Sequence, residues 1–444
     1  MTVAFCTTAK GRLPHVEKTL PANLADNPDA KFILLDYNSP DNLLDHLKAN
    51  HQKDIDSGQL VVYSFTAPGP FRMAHAKNLA HRLAILEGAD VLCNLDADNF
   101  TGTGFADYIT EQFQTEDVFL WAKMIQYGPD KLTRGITGRI VVSAQAFINA
   151  GGYSEKYNIW SPDDKDFNLR LKRIGYVPQE VDKKYLKGIH HSDKMRFREY
   201  PHAEAATYEL EQAILQEQAD IMNMNNITVV NMGRFGMGTV YKNFDFTKPI
   251  VLGPVPTRIF GIGMHKTGTS SLHAALTALG FDSAHWKSGA WAKAIWQEMK
   301  QYGRSRTLEK HYAVSDLPIT NLYRQLDQSY PGSKFILTTR NEDKWLDSVE
   351  KHWSYEHNKY RAEWDIYPAS NMLHTDLYGR RTFDSEVFLA RFRKHNSDVK
   401  DYFKSRPNDL LVMDLDDGAG WWDLCCFLDK PCPLTPYPRI FVTK

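Results

Sequence analysis

Lysine and hydroxyl side chains gather in one glycine-punctuated stretch, residues 259–279, where together they are suited to binding an anion. The helix predicted after the glycines has apolar residues at helical spacing: Leu272, Ala275, Leu276 and Leu279. A helix that begins after a glycine turn presents backbone N–H groups and the positive end of its dipole to an anion. The stretch therefore predicts a phosphate-binding loop, with an ordinary glycine turn as the alternative.

The position of the lysine decides which kind of phosphate loop is expected. Gly263 and Gly268 have the Walker A spacing, but Thr269 stands where a nucleotidase needs lysine, and Lys266 precedes the second glycine. Residues 266–272 resemble the 5′-phosphosulfate loop of sulfotransferases that use 3′-phosphoadenosine-5′-phosphosulfate (PAPS), while a degenerate NTPase loop stays an alternative. This resemblance implies that the following residues bind PAPS: Lys266, Thr267, Gly268, Thr269, Ser270 and Ser271.

A second basic site is predicted about 70 residues further on. Arg340 ends an apolar strand, and Ser348 lies one to two turns into the next helix, so both can converge on one phosphate. Residues 338–348 resemble the motif with which the same sulfotransferases bind the 3′-phosphate of PAPS. The alternative is an arginine paired with a surface acid. The resemblance covers residues 257–444.

Sulfuryl transfer also requires a base near the acceptor hydroxyl and a cation near the leaving oxygen. Sulfotransferases carry a histidine or an acid where a strand meets a Leu-Pro turn, and Asp316 occupies that place here, with His285 as the second candidate. Lys266 can stabilise the charge that develops on the bridging oxygen. Asp316 could instead cap the following helix.

The first half of the chain contains a different chemical candidate, Asp96-Ala-Asp98, directly after the predicted buried strand 91–95. Two carboxylates at this spacing can hold a hard divalent cation against a diphosphate, although either could simply cap a turn. Asp36 likewise ends a predicted strand, and ligands of parallel sheets gather at the carboxyl ends of strands.

Asp36, Asn78 and the Asp96-Ala-Asp98 pair occur in the order seen in family-2-like GT-A glycosyltransferases, which the first 240 residues resemble. In that family the first acid reads the nucleoside, and the Asp-x-Asp pair holds Mn²⁺ or Mg²⁺ on the diphosphate of a nucleotide sugar. The resemblance implies a UDP-linked sugar donor, bound by Thr7, Arg12, Asp36, Asn78, Asp96 and Asp163, with Asp96 and Asp98 as metal ligands.

Residues 151–171 are similar to the carboxylate segment of galactosyltransferase-like members of that family. Asp163 and Asp164 fall on its acid pair, and Asp164 matches the general base that deprotonates the acceptor; burial against Trp160 could raise its pKa. Helix capping by either acid is the alternative. Pro162 and Lys165 depart from the family pattern and leave the donor and the acceptor open.

His190 and His191 follow the strand-like segment 184–189. The family resemblance implies that a histidine from this region completes the metal site, and imidazole is acceptable to Mn²⁺. A surface-exposed or structural histidine pair is the alternative.

Strands alternate with helices along both halves, which predicts α/β folds with mainly parallel sheets. We expect a Rossmann-like GT-A domain over residues 1–250, including a helical extension at 200–225 and a short stiff joint. A P-loop-type α/β sulfotransferase domain is expected over residues 251–444.

The composition excludes several other classes of function. Fifty-three basic and 54 acidic side chains leave a net charge of −1, which does not support non-specific binding of nucleic acid. Five cysteines without a Cys-x-x-Cys pair indicate neither a disulfide framework nor a zinc cluster. Neither a signal peptide nor a transmembrane span is recognised, so we expect a bacterial cytoplasmic protein, with peripheral membrane attachment left open.

These observations predict a bifunctional enzyme that transfers a sugar from a nucleotide sugar and a sulfuryl group from PAPS to a glycan or glycoconjugate, releasing adenosine 3′,5′-bisphosphate. The alternatives are a sulfotransferase whose first domain only binds the glycan, and a kinase or nucleotidase at the phosphate loop. The acceptor, the donor sugar, the order of the two transfers and the oligomeric state are not determined by the sequence.

Overall fold

The computed structural model of the chain describes residues 1–114, 117–122, 136, 138–155, 163–189, 230–255, 258–354 and 368–440. The chain forms two compact units, Met1–Val255 and Pro256–Lys444. None of the described helices is long and apolar enough to cross a membrane.

The first unit is built on a mixed nine-stranded sheet and a short two-stranded ladder. Its strands are β1 (Val3–Ala9), β2 (Lys31–Asp36), β3 (Leu60–Ser64), β4 (Val91–Asn94), β5 (Asn99–Phe100), β6 (Val118–Trp121), β7 (Ile140–Ser143), β8 (Val177–Glu180), β9 (Lys187–Gly188), β10 (Gly238–Lys242) and β11 (Pro249–Leu252). The large sheet has the order β11-β10-β3-β2-β1-β4-β7-β6-β8, and β5 pairs with β9. The strands β3-β2-β1-β4 are parallel, whereas β7, β10 and β11 run antiparallel to their neighbours.

Helices pack on this sheet because their apolar residues recur at helical spacing. They are α1 (Leu13–Asp26), α2 (Leu43–Asn50), α3 (Gln52–Asp56), α4 (Met73–Leu86), α5 (Phe105–Gln112), α6 (Ala144–Asn149) and α7 (Asp163–Arg173). Helix α4 is the most deeply buried, with Ala76, Leu79, Ala80 and Leu83 in the core that includes the β1 and β2 side chains Cys6 and Ile33.

The order of the central strands marks where a ligand would bind in the first unit. The chain runs from β1 outward to β2 and β3 and then returns to the other side of β1 as β4. Such a reversal opens a crevice at the carboxyl ends of the two strands between which it occurs. Asp96 and Asp98 follow β4 at this point, next to the end of β1.

The second unit has a parallel five-stranded sheet with the order β13-β14-β12-β15-β16. Its strands are β12 (Ile259–Gly261), β13 (Ser283–His285), β14 (Ala313–Ser315), β15 (Lys334–Thr339) and β16 (Leu410–Asp414). Its helices are α8 (Thr269–Ala278), α9 (Gly289–Tyr302), α10 (Arg306–Glu309), α11 (Ile319–Ser329), α12 (Glu342–Trp353), α13 (Pro368–Tyr378), α14 (Ser385–Phe403) and α15 (Trp421–Leu428). The strand order reverses between β12 and β15, so a binding crevice is again expected there.

The observed elements differ from the predicted ones in a few places. Strand β11 crosses the predicted boundary at residue 250 and belongs to the first unit, because it pairs with β10. Residues 183–185 form a 3₁₀ turn rather than part of a strand, and only Lys187–Gly188 is extended. The helical extension predicted at 200–225 lies outside the described residues.

Candidate functional site

The loop between β12 and α8 is shaped by close packing against the neighbouring strand β15. A Cβ atom at Gly263 would lie 2.0 Å from Thr338 Oγ1, so only glycine fits there. Thr267 Oγ1 donates to the carbonyl oxygen of Met264 at 2.5 Å and pairs with Thr338 Oγ1 at 2.7 Å. The buried hydroxyl of Thr267, a predicted PAPS ligand, therefore holds the loop together. The backbone of Thr267 is then the part that could bind an anion.

Two residues of this loop have a left-handed backbone. Lys266 has a φ of 66° and Gly268, the N-cap of α8, a φ of 97°. Burial, followed by the charge of Arg340, lowers the pKa of Lys266, and Asp316 opposes this. The ammonium group of Lys266 is therefore placed among the charged residues predicted to act on PAPS.

The three hydroxyl residues that begin α8 point to different partners. Thr269 Oγ1 lies 3.0 Å and Ser270 Oγ 3.5 Å from His285 Nε2. Ser271 Oγ is turned away and accepts a hydrogen bond from the backbone N–H of Ile440 at 2.9 Å. Thr269 and Ser270 thus face the predicted reaction centre, whereas Ser271 binds the C-terminal segment.

The two predicted candidates for the sulfuryl-transfer base form a pair. His285 Nε2 lies 3.2 Å from Asp316 Oδ2, and each residue stands at the carboxyl end of its strand, β13 or β14. Asp316 Oδ1 accepts a hydrogen bond from the backbone N–H of Leu317 at 2.8 Å. Both side chains are largely but not fully buried, at 18% and 15% exposed. From the sequence, Asp316 and His285 were predicted as alternative candidates for the base.

Arg340 follows β15 and reaches back to the phosphate loop. Its Nη1 lies 3.5 Å from the carbonyl oxygen of Lys266, and its Nε lies 3.3 Å from Asp416 Oδ2. Asp416 also pairs with Lys344 at 3.6 Å. The acid that the sequence analysis considered as an alternative partner is therefore present, but the pair is partly exposed, and such pairs are weak enough for a phosphate to replace them. Ser348 lies on α12 with its side chain half-buried.

In the first unit, Asp36 ends β2 and organises the loop that follows. Its Oδ1 accepts a hydrogen bond from the backbone N–H of Ser39 at 2.9 Å, and Ser39 Oγ donates to Asp41 at 2.6 Å. Burial raises the pKa of Asp36 to about 6, with the Ser39 hydrogen bond opposing the shift. Thr7 lies within β1 and Arg12 caps α1, both partly exposed near the same end of the sheet.

Asp98 is held by a chain of polar contacts that the sequence analysis did not identify. Arg139 Nη2 donates to Asn99 Oδ1 at 3.0 Å, and Asn99 Nδ2 donates to Asp98 Oδ1 at 2.8 Å. The backbone N–H of Ile189, the residue before His190, donates to the carbonyl oxygen of Asp98 at 2.7 Å. This last contact places Ile189, the last described residue before the predicted histidine pair, beside the Asp-x-Asp turn.

Within the described residues, no group of three or more histidine, cysteine, aspartate or glutamate side chains could hold a metal ion. His190 and His191 lie outside those residues, as do Trp160 and Pro162. The predicted metal ligands Asp96 and Asp98 are nevertheless both in the turn after β4. The donor set that the described part of the chain offers is therefore two carboxylates, which suits a hard divalent cation.

Asp163 and Asp164 begin α7 and share one buried cation, Lys77. Lys77 Nζ lies 2.8 Å from Asp163 Oδ2 and 2.6 Å from Asp164 Oδ1, and its side chain is only 3% exposed. Burial alone would lower the pKa of Lys77, but the two carboxylates raise it well above its usual value. Burial and Asp163 raise the pKa of Asp164 to about 7, with Lys77 opposing them.

The second carboxylate oxygen of Asp164, Oδ2, lies near the Asp96 carboxylate. Asp96 Oδ2 and Asp164 Oδ2 lie 2.9 and 3.1 Å from the point that a Cβ atom of Gly138 would occupy. Burial raises the pKa of Asp96, and Lys77 opposes the shift. The predicted base, Asp164, and the first acid of the Asp-x-Asp pair, Asp96, thus lie near each other. The Asp164 side chain is 26% exposed.

The side chain of Asn78 makes its hydrogen bonds to other residues of the protein. Its side chain is fully buried, donates to the Tyr153 carbonyl oxygen at 2.8 Å and to Glu155 Oε1 at 2.9 Å, and accepts from the Tyr153 backbone N–H at 2.7 Å. These contacts fix the loop before α7. The side chain of Asn78 is therefore fully engaged within the protein, and its binding of the nucleotide sugar stays a prediction.

Lys77 is the functional candidate that sequence reasoning missed. It directly precedes Asn78, which was predicted to be functional, but a lysine in a helix is usually solvated. The available signal was its place on a helix with many apolar residues, among them Ala74, Ala80 and Ala84. A charge at such a position has to be paired with another buried charge.

Comparisons with known proteins give the second unit a family. Residues 258–443 match the family described as sulfotransferase domain. Ava biosynthesis cluster protein M of Aspergillus versicolor is 24% identical over an alignment of 216 residues, and the match covers 41% of this chain and 80% of that protein.

Two solved glycosyltransferases are also similar to this chain. The mannosyltransferase PcManGT from Pyrobaculum calidifontis, in complex with GDP-Man and Mn²⁺, has a TM-score of 0.36 and 13% identity over 50% of this chain and 70% of its own. The catalytic domain of Drosophila β1,4-galactosyltransferase 7, in complex with xylobiose, has a TM-score of 0.32 and 14% identity over 47% and 78%. The family match is to the C-terminal half, and residues 258–443 of this chain are therefore a sulfotransferase domain.

Proposed function

We propose that the second unit transfers a sulfuryl group from PAPS to a hydroxyl group of a glycan and that the first unit transfers a sugar from a nucleotide sugar. The observation that carries the first part is the convergence of Lys266, His285 and Asp316 at the ends of neighbouring strands within a sulfotransferase domain. The second part is supported by the carboxylates at the crevice beside β1 and β4.

In the sulfuryl transfer, the acceptor oxygen forms a bond to sulfur while the bond from sulfur to the bridging phosphate oxygen breaks. The hydroxyl proton passes to the His285–Asp316 pair, and the products are a sulfate ester and adenosine 3′,5′-bisphosphate. Lys266 and the N–H groups that begin α8 stabilise the charge that develops on the leaving oxygen. Arg340 and Ser348 hold the 3′-phosphate.

Within the pair, we assign the proton to His285 and a supporting role to Asp316, which reverses the order preferred from the sequence. Asp316 Oδ1 is occupied by the backbone N–H of Leu317, and its Oδ2 faces His285 Nε2. A carboxylate so placed orients the imidazole and stabilises the imidazolium that forms. The other ring nitrogen of His285, Nδ1, is then the atom that accepts the proton.

The test of sulfuryl transfer combines binding and turnover. Adenosine 3′,5′-bisphosphate should bind tightly to the wild-type chain, and PAPS should be consumed with a glycan acceptor. His285→Gln should abolish turnover and keep nucleotide binding, whereas Asp316→Asn should retain part of the turnover. Tight binding of ATP without binding of adenosine 3′,5′-bisphosphate would instead indicate a kinase or nucleotidase.

For sugar transfer, Asp164 Oδ2 is the atom proposed to take the acceptor proton, because Oδ1 is held by Lys77. A raised pKa near neutrality suits a general base. Asp36, with Thr7 and Arg12 at the same end of the sheet, is proposed to read the nucleoside. Asp96 and Asp98, with His190 or His191, would hold a divalent metal, which neutralises the diphosphate leaving group when bound.

A panel of nucleotide sugars with Mn²⁺ tests this assignment. The Asp96→Asn/Asp98→Asn double variant should lose Mn²⁺ binding measured by calorimetry and lose sugar transfer, while sulfuryl transfer continues. If the wild type neither hydrolyses nor transfers any donor while it consumes PAPS, the first unit is a glycan-binding module. A hexose-sized mass gain followed by a sulfuryl-sized gain on one acceptor would support the bifunctional reaction.

A further inference from the structure

Three residues around the sulfuryl-transfer site have a left-handed backbone although they are not glycine. Lys266 follows β12 with a φ of 66°, Trp286 follows β13 with a φ of 32°, and Asp316 follows β14 with a φ of 73°. These strands are adjacent, in the order β13-β14-β12. Left-handed backbone is unfavourable for side chains other than glycine, asparagine and aspartate, and strain of this kind clusters at functional sites.

Two of the three residues already have a role in the proposed reaction, and Trp286 has none. A tryptophan is the least expected of the three in this conformation, because its side chain is bulky. Glycine or asparagine would adopt the same backbone at lower free energy. A tryptophan in this conformation is therefore a residue whose ring can be tested for a role at the end of β13.

Trp286 directly follows His285, one of the groups proposed to react, in the sequence. The preceding residue, His285, contacts Asp316 Oδ2 at 3.2 Å and Thr269 Oγ1 at 3.0 Å. The indole of Trp286 therefore belongs to the residue next to the imidazole that is proposed to receive the acceptor proton.

The Trp286 side chain packs on buried side chains and remains partly exposed. It packs against the buried cluster that contains Met264 of the phosphate loop and Leu317 of the turn after β14. Trp291 and Trp296 pack on the same cluster, and Trp296 Nε1 is buried without a hydrogen-bond partner among the described residues. A half-buried aromatic ring on a rigid support can be covered by the apolar face of a ligand.

We propose that Trp286 is the platform of the sulfuryl-acceptor site and that it stacks on the apolar face of a sugar ring whose hydroxyl faces His285. This inference rests on the sulfuryl transfer proposed above. The C–H face of a pyranose suits an indole, and stacking fixes the plane of the ring so that one hydroxyl group is directed at the imidazole. Trp286 then determines which hydroxyl is sulfated.

The test uses the full-length chain, PAPS and a set of methyl glycosides of common hexoses and hexosamines as acceptor probes. Trp286→Asn removes the ring and tolerates the left-handed backbone, and Trp286→Phe keeps an aromatic ring. With the best wild-type probe, Trp286→Asn should raise KM for the acceptor by about 10- to 100-fold. The affinity for adenosine 3′,5′-bisphosphate should not change, and Trp286→Phe should recover most of the acceptor affinity.

A matched control is Trp422→Asn, since Trp422 is 75% exposed on α15 and should leave every constant unchanged. Equal acceptor KM values for wild type and Trp286→Asn would overturn the proposal. So would a parallel loss of nucleotide affinity, which would show that Trp286 only supports the phosphate loop. If the wild type consumes no PAPS with any probe and does not bind the nucleotide, the sulfotransferase assignment fails rather than the role of Trp286.

Discussion

Lys77 holds Asp164 through a buried ion pair in which Nζ lies 2.6 Å from Oδ1. The same ammonium group contacts Asp163 Oδ2 at 2.8 Å. Because Oδ1 is held by Lys77, Oδ2 of Asp164 is the oxygen proposed to act as a base, and it lies near Asp96 Oδ2 beside Gly138. One lysine thus fixes the orientation of the carboxylate and balances part of the negative charge in the crevice.

Replacing Lys77 by methionine should destabilise the first unit strongly. The change leaves the buried Asp163 and the partly buried Asp164 without their cation, and breaking a buried pair in this way costs about 3–5 kcal/mol. Urea denaturation followed by far-UV circular dichroism measures the loss. Lys351→Met is the matched control, because Lys351 pairs with Asp347 at the same 2.8 Å distance but both side chains are about half exposed. That variant should change the free energy of unfolding by at most about 1 kcal/mol. Equal effects of the two changes would contradict the role of Lys77.

The pKa of Asp36 predicts how stability depends on pH. The folded-state pKa of about 6 exceeds the ordinary value of 3.8, so the folded chain binds more protons than the unfolded chain between these values. Asp36 therefore makes its largest contribution to stability below pH 4, and this contribution is lost as pH rises through 6, by about 3 kcal/mol in total. Asp36→Asn should remove this part of the pH dependence in denaturation curves recorded from pH 4 to 7.

The control for this experiment is Asp45→Asn, since Asp45 is exposed on α2. Its pH profile should coincide with that of the wild type. An Asp36→Asn profile that is parallel to the wild-type profile would show that Asp36 titrates normally in the folded chain.

Local pattern and spacing were sufficient to predict much of the fold. A strand ends at Asp36 as predicted, and the strand predicted at 91–95 is observed as Val91–Asn94, because each is a continuous run with a clear apolar pattern. Less was predictable where tertiary pairing decides the structure. Strand β11 begins with a proline and carries little pattern, and it is extended because it pairs with β10.

The site was predictable in its residue types but not in its pairings. His285 and Asp316 are 31 residues apart, and only the adjacency of β13 and β14 brings them into contact. The burial of Asn78 was not visible either, because an asparagine in a helix after Lys77 reads as polar and accessible. Contacts of this kind depend on the packing of strands and loops that are distant in sequence, for which one sequence contains no direct signal.

Substitutions of Arg340 and of Asp416 are expected to affect the affinity for the nucleotide differently. Arg340→Ala should weaken binding of adenosine 3′,5′-bisphosphate by about 10- to 100-fold, since a charge-assisted hydrogen bond contributes about 1.5–3 kcal/mol. Asp416→Asn should leave the affinity equal or higher, because it releases Arg340 from its 3.3 Å contact with the carboxylate. Isothermal calorimetry measures both constants. Weaker binding by Asp416→Asn would mean that Asp416 positions Arg340 for the phosphate instead of competing with it.

Gly263 sets the distance between the phosphate loop and β15, so Gly263→Ala should abolish nucleotide binding. The added methyl group would lie 2.0 Å from Thr338 Oγ1 and 2.5 Å from the Thr338 carbonyl oxygen, and a strand backbone cannot withdraw from it without losing its ladder. The loop must then move, which breaks the 2.7 Å contact between Thr267 and Thr338 and displaces the N–H groups that would face the anion. Calorimetry with adenosine 3′,5′-bisphosphate measures the loss. Gly253→Ala is the control, because no atom lies within 4 Å of its added methyl group. Retained affinity in Gly263→Ala would show that the loop adapts and that the contact with β15 does not shape the site.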